Sequence, residues 1–383
     1  MSVFRWLVAA GDKIRAGDGQ LRLRMYDGGA ARHLADQDYP RESDRSIGGY
    51  VERIGGGRGM TGFVVNNFQA AHPDAWRLAQ SLMARLPVRP VPASFEIFAG
   101  DYRQGFFGVH KDDQDVITFV LEGKKRFLVW PYETFANHPG VEPGSELETA
   151  FLRRLDVARY RDQAIVVEGE AGDILYWPAE YWHVAESDGG VTATLGLGLF
   201  ADSSPFRLVE RAACELAQEG AELETEWPCG SSRSGGDSAS FLGALHADLV
   251  HALGSEPLRR RLEEKALAHR TSFGLVARPD PEPLEKALDR DSRVRMPLPA
   301  ALAWSRSESS QGPELLWSVS GAVFRYPYVE GIVRLFEKLT TGADLSIGRL
   351  LAELESEEIT GEALLHIIEI IRRHHALVPG SAA

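Results

Sequence analysis

Cysteine is nearly absent from this sequence: Cys214 and Cys229 are the only two among 383 residues. Two thiols cannot build a disulfide framework, and no Cys-x-x-Cys pair offers a structural zinc site. A reducing, cytoplasmic compartment is the expectation. Long apolar runs are missing as well. The most apolar start, Phe4 to Ala10, is interrupted by Arg5 and followed by Asp12 and Lys13, unlike a signal peptide. No stretch approaches the roughly 20 apolar residues of a membrane span, so no membrane partner is expected. Positive charge is also scarce. The 42 Lys and Arg against 55 Asp and Glu leave a net charge of −13. Such a surface argues against nucleic-acid binding, which draws its non-specific affinity from basic residues, and would attract a cationic partner.

What is present is ordinary globular chain. Hydrophobic residues make up 44% and charged residues 25%, which excludes wholesale disorder, collagen and coiled coil. The length suits two or three domains, and no internal repeat is visible. Four pieces can be distinguished. Residues 1–92 form an N-terminal segment whose first sixty residues carry no clear pattern. Gly57, Gly59 and Gly62 match GxGxxG, but Phe63-Val64-Val65 follows as a strand rather than a helix, so a plain loop is expected there. His72-Pro73-Asp74 opens a helix in which Trp76, Leu78, Ala79, Leu82, Met83 and Leu86 recur at helical spacing.

Residues 93–203 change to short β-rich runs at Ser94–Phe98, Val116–Leu121, Arg126–Trp130, Ala164–Val167, Asp173–Trp177 and Val191–Phe200. Many short strands at this spacing predict a sandwich or barrel. Residues 204–295 read as helical, with a Gly/Ser-rich loop from Gly230 to Ser240 and a helical stretch from Phe241 to His269. Residues 296–383 hold apolar-periodic segments at Val329–Leu339, Ile347–Leu354 and Glu362–Arg373 and a short β-like tail, a winged-helix-like pattern. From Met296 onward there are 7 Lys/Arg against 11 Asp/Glu, so docking or structure is expected there rather than DNA binding.

The chemistry concentrates in two motifs. In His110-Lys111-Asp112, residues i and i+2 of a strand project to one face. The second is Gly172-Asp173-Ile174-Leu175-Tyr176-Trp177-Pro178-Ala179-Glu180-Tyr181-Trp182-His183. Two imidazoles and one carboxylate form the facial triad of non-haem Fe(II) oxygenases, which leaves three coordination positions open. The His-x-Asp pattern alone is also what a solvated surface shows. Asp113 and Asp115 read either as contacts to a cationic substrate or as solvated carboxylates. Trp177, Tyr181 and Trp182 read as channel lining or packing, and Asp173 as a turn residue.

The run from His110 to Pro131, with Gly123-Lys124-Lys125 before an apolar strand, resembles the JmjC/cupin family of 2-oxoglutarate oxygenases. Both the ribosomal oxygenases and the asparaginyl hydroxylase of hypoxia-inducible factor come close. In both, a lysine sits fifteen residues after the first metal histidine, the position of Lys125. The second motif, GDILYWPAEYWHVAES, is similar to theirs as well.

The resemblance covers residues 93–200. It implies an α+β fold: a double-stranded β-helix (jelly-roll/cupin, JmjC-like) core with a helical region and a C-terminal winged-helix-like module. It implies Fe(II) bound by His110, Asp112 and His183, with 2-oxoglutarate as cosubstrate held by Lys125. Lys124 and Arg126 should lie on the opposite strand face. Where the asparaginyl hydroxylase has a threonine touching the cosubstrate, this chain has Phe107; Thr118 and Thr194 are the candidates for that contact.

The implied reaction is hydroxylation of a side chain in a protein or peptide, either a ribosomal protein or a ribosomally made peptide, with release of succinate and CO2. A basic substrate would suit the acidic chain, and a homodimer is the expectation. The alternatives are a small-metabolite hydroxylase, an N-methyl-lysine demethylase and a catalytically inactive cupin-like binding protein.

Overall fold

Alternation along the strands divides this fold into layers. The computed structural model describes residues 2–27, 30–55, 61–87, 91–101, 105, 107–144, 149–187, 189–200, 256–283, 287–309 and 312–380. The chain forms two units, one of Met1–Asp202 with Phe273–Glu282 and one of Ser203–Ser272 with Pro283–Ala383.

The first unit begins with helix α1 (Val3–Arg15), strands β1 (Arg22–Asp27) and β2 (Ala30–Arg32), helix α2 (Ile47–Gly55), β3 (Thr61–Asn66) and helix α3 (Pro73–Met83). Then come β4 (Ala93–Asp101), β5 (Val109–Lys111), β6 (Asp115–Glu122), β7 (Lys124–Trp130), β8 (Glu142–Pro143), β9 (Ala150–Leu152), β10 (Ile165–Glu170), β11 (Ile174–Trp177), β12 (Trp182–Glu186) and β13 (Val191–Leu199). A seven-stranded sheet runs β11-β6-β13-β4-β3-β1-β2 and a six-stranded sheet runs β10-β7-β12-β5-β9-β8. Every pairing within them is antiparallel. This is the expected jelly-roll. It includes the N-terminal segment: β3, β1 and β2 extend the sheet past β4, so no break falls at residue 92.

Strand periodicity of two gives each sheet two faces. On the seven-stranded sheet, Leu23, Met25, Phe63, Val65, Phe95, Ile97, Leu195 and Leu197 pack against Trp6, Leu7, Tyr50, Val51 and Trp76 of the three helices. The helices form because each presents an apolar stripe. Ile47, Tyr50, Val51 and Ile54 are the buried positions of α2. The α3 start is as expected: the His72 Nδ1 accepts the Asp74 backbone N–H at 3.1 Å, and Pro73 fills the first turn. Leu78, expected on the apolar stripe, is instead exposed. The outer face of the six-stranded sheet buries Val109, Leu128, Trp130, Leu152, Trp182 and Val184. Between the sheets, Val120, Phe127, Val129, Leu175 and Trp177 form a smaller inner cluster from β6, β7 and β11.

In the second unit, helix Glu256–Thr271 falls within the expected helical region, and Phe241–Ser255 lies outside the described residues. So do the Gly/Ser-rich loop, both cysteines and Gly57 and Gly59 of the GxGxxG match. Helices Glu330–Leu339, Ile347–Leu354 and Gly361–Arg373 follow the expected periodicity. Strands Leu302–Ser309, Gly312–Val319 and Ala322–Pro327 form an antiparallel meander that the pattern did not announce. Residues 273–282, expected in the helical region, belong to the first unit, where Ala93 and Leu275 bridge in parallel. Among the described residues no helix is long and apolar enough to cross a membrane.

Candidate metal centre

His110 lies in β5 and His183 in β12, and the two are directly paired across the ladder. Directly opposed residues share a face, so both imidazoles point between the sheets, with ring centroids 4.2 Å apart. Lys111, the intervening residue, points away, its Nζ 5.7 Å from the Tyr132 ring. Asp112 lies just past the end of β5 and returns its carboxylate to the histidines. Its Oδ1 is 3.8 Å from His110 Nε2 and its Oδ2 is 3.5 Å from His183 Nε2. One ligand atom from each of the three lies within 4.8 Å of the others.

Two backbone carbonyls set the ring orientations. His110 Nδ1 lies 3.1 Å from the Gly108 carbonyl oxygen, and His183 Nδ1 lies 3.3 Å from that of Tyr181. A carbonyl only accepts, so each Nδ1 carries the proton and each Nε2 lone pair is left for a metal. Gly108 has φ +69°, and a Cβ there would sit 3.0 Å from the Arg153 Cα; the close turn that aims its carbonyl needs glycine.

His183 is 4% exposed. Burial, and then the neighbouring His110, push its imidazole pKa down to about 4, with the Asp112 carboxylate partly opposing. Phe107 and Phe151 flank His110, with centroids at 5.6 and 6.0 Å, and Trp177 lies 4.9 Å from His183. These donors fit a divalent ion that takes nitrogen and oxygen ligands.

Lys125 is 2% exposed and lies on the same inward face of β7 as Phe127 and Val129. Its Nζ is 5.5 Å from the Phe127 ring centroid, and Phe127 is 6.3 Å from the His183 ring. The alternative of a lysine solvated at a turn is thereby excluded. Lys124 and Arg126 do lie on the other face, where they bind Glu168 at 3.4 and 2.9 Å. The turn before them needs Gly123, which has φ +73° and whose Cβ would meet the Val191 carbonyl oxygen at 2.4 Å.

Thr118 and Thr194 are both buried. Thr118 is paired with Leu175 and Gly196, and Thr194 with Val120, so both share the inner face with that cluster. Phe107 packs on Tyr26 and His110. Two hydroxyls had not been singled out in the sequence. Ser187 Oγ and Thr192 Oγ1 are buried without a hydrogen-bond partner. Ser187 directly follows β12, whose last ladder pair is Glu186 with Arg126. Thr192 abuts the Gly123 turn. Buried hydroxyls without a partner are what a polar ligand group would satisfy. The strand alternation Thr192, Thr194, Gly196 was the signal that could have found one of them.

The other candidates are placed as follows. Trp177 faces the histidines, whereas Trp182 packs on the outer side and its Nε1 donates to the Tyr132 carbonyl at 3.0 Å. Asp173 serves the turn, its Oδ2 accepting the Glu170 N–H at 2.8 Å. Asp115 accepts from Tyr176 and Ala179.

Residues 61–196 match the model of the cupin-like domain, and the sheets just described are its fold. This segment of the chain is thus similar to a cupin-like domain. Among solved structures it is similar to the X-ray structure of Escherichia coli YcfD, with a TM-score of 0.54 at 14% identity over 99% of this chain and 91% of that one. A structure described as YcfD, a ribosomal oxygenase from Escherichia coli, aligns with a TM-score of 0.51 at 14% identity over 100% of this chain and 91% of that one. A further structure of that oxygenase, in complex with cobalt and 2-oxoglutarate, aligns with a TM-score of 0.50 at the same identity and coverage. At this identity the likeness is one of fold. No curated protein matches the sequence.

Proposed function

We propose that the protein is an Fe(II)- and 2-oxoglutarate-dependent oxygenase that hydroxylates a side chain in a protein or peptide. The observation that carries this is the convergence of His110, Asp112 and His183, with Lys125 buried on the inward face of β7. The likeness in fold to the ribosomal oxygenase supports it. When bound, iron with 2-oxoglutarate supplies the oxidising power to hydroxylate an unactivated C–H bond, releasing succinate and CO2.

The chain's own residues do the rest. The Gly108 and Tyr181 carbonyls hold both imidazoles in the metal-binding tautomer. Burial keeps His183 unprotonated and available as a ligand at neutral pH. Lys125, buried on the inward face of β7, would give the far carboxylate of 2-oxoglutarate a charge-assisted hydrogen bond. Thr118, Thr194, Ser187 and Thr192 offer hydroxyls on the same inner face. Phe107, Phe151 and Trp177 wall the centre.

The substrate class is a ribosomal protein or a ribosomally made peptide, and the net charge of −13 favours a basic one. The reading places the protein in the cytoplasm, as a homodimer. Anaerobic titration with Fe(II) and 2-oxoglutarate tests it. A weak visible band of the chelate, absent in His183→Ala, is expected. No band from folded protein would leave a cupin-like binding protein instead. Formaldehyde release on turnover would redirect the reading to demethylation.

A further inference from the structure

The three metal-binding side chains come from two segments about seventy residues apart in sequence. The ladder pair of His110 with His183 joins β5 to β12, and the β6–β11 ladder, from Val116 with Trp177 to Phe119 with Ile174, joins the strands that follow Asp112 and precede Pro178. Asp112 lies in the gap between the two ladders and is a member of neither. We propose that Asp115 is a positioning residue that clasps the two metal-binding segments together. This rests on the metal site proposed above.

Asp115 Oδ1 accepts the backbone N–H of Ala179 at 3.0 Å and the Tyr176 hydroxyl at 3.2 Å. Ala179 lies in the turn closed by the Tyr181 N–H donating to the Pro178 carbonyl at 3.1 Å. The Tyr181 carbonyl in turn receives the His183 Nδ1 proton. His183 Nε2 faces Asp112 Oδ2 at 3.5 Å, three residues from Asp115. The contacts therefore close a ring through both ligand segments: Asp112, Asp115, Ala179, Tyr181, His183 and back to Asp112.

The neighbouring Gln114 packs against another strand of the sheet. It lies against β13 at Gly198, where a Cβ would come within 2.1 Å of Gln114 Oε1. Asp115 thus commits Oδ1 to two bonds within the protein. Ligand geometry must hold to roughly half an ångström for metal affinity, and removing a supporting acceptor typically costs about 10–100-fold.

The test is Co(II) affinity of the full chain by anaerobic titration, with thermal unfolding of the metal-free protein alongside. Asp115→Ala is expected to weaken Co(II) binding about tenfold. Asp115→Asn keeps an oxygen acceptor and is expected to restore affinity to within about threefold of wild type. Wild-type Co(II) affinity in folded Asp115→Ala, with only the unfolding temperature lowered, would reduce Asp115 to a structural residue and overturn the proposal. So would Asn behaving like Ala, since charge rather than the hydrogen bond would then be acting. Should Asp115→Ala not fold, Asp115→Glu decides. It keeps the charge but displaces the acceptor by one methylene, so weakened binding supports the clasp and unchanged binding refutes it. Wild type that binds no Co(II) would remove the metal site itself; wild type that binds, with Asp115 variants unaffected, would remove only the clasp.

Discussion

Along β13, Ala193, Leu195, Leu197 and Leu199 face the helices, while Thr192, Thr194, Gly196 and Gly198 face the opposite sheet. Both sets are buried. The outer set is purely apolar and locks the sheet to α1, α2 and α3. The inner set carries hydroxyls at Thr192 and Thr194 and glycines against which Val116 and Gln114 pack. Burial therefore does not separate core from site in this protein; the chemistry of alternate residues does. The outer face gains stability from close packing. The inner face keeps polar groups out of water, at a cost of about 1–3 kcal/mol for each unsatisfied one, as with Ser187 and Thr192. Such a cost is common where a ligand supplies the missing partner.

The contrast can be broken most sharply at the metal centre. His183→Ala, and equally His110→Ala, is expected to abolish metal-dependent turnover, by roughly a thousandfold or more, because the ligand set loses a member. Succinate production in the presence of substrate reads this out, and retained turnover would refute the ligand assignment.

On the outer face, Trp76→Ala should cost about 3–5 kcal/mol of stability through its cavity. Denaturant unfolding measures that, and the Co(II) affinity of the folded fraction should stay unchanged. A comparable affinity loss would erase the distinction between the faces.

The pH dependence of the metal-free protein separates them further. His183 has a folded pKa of about 4, below the usual 6.5, so the unfolded chain binds its proton first as pH falls. This group's contribution is thus full above pH 6.5 and is lost as pH falls from there through about 4, on the order of 3 kcal/mol in all. Unfolding curves of wild type and His183→Asn across that window should diverge in this sense, with the variant losing less.

The smallest contrast lies within one strand. Lys125→Ala should raise the 2-oxoglutarate requirement by about tenfold to a hundredfold, the worth of a charge-assisted hydrogen bond. Lys124→Ala, one residue away but exposed against Glu168, should change it by less than about twofold. Equal effects of the two would refute the cosubstrate role of Lys125.

Much of this was legible in the chain. The strands carrying Lys125, Thr118 and Thr194 announced themselves by β-rich runs between glycines, and α3 by its proline, its aspartate and its helical period. Residues 1–60 were not legible. There α2 contains Gly48 and Gly49, which disfavour a helix. Gly49 is required by the turn that enters the helix, since a Cβ there would meet the Asp44 carbonyl oxygen at 2.2 Å. Strands β5 and β12 span only Val109–Lys111 and Trp182–Glu186, too short to stand out. The meander at 302–327 was hidden because Trp304-Ser305-Arg306-Ser307-Glu308 mixes charge into a partly exposed strand.

By itself the sequence determined the candidate ligand types, their spacing within each motif and the faces of the residues inside the longer strands, because strand periodicity is local; Asp112, beyond the end of β5, is not one of them. It placed Lys125 opposite to Lys124 and Arg126 for the same reason. Only the tertiary structure decided that His110 meets His183, that Ser187 and Thr192 are buried, and that Asp115 reaches Ala179. Those juxtapositions depend on antiparallel pairing between segments distant in the chain, and that pairing is set by the burial of both sheets together.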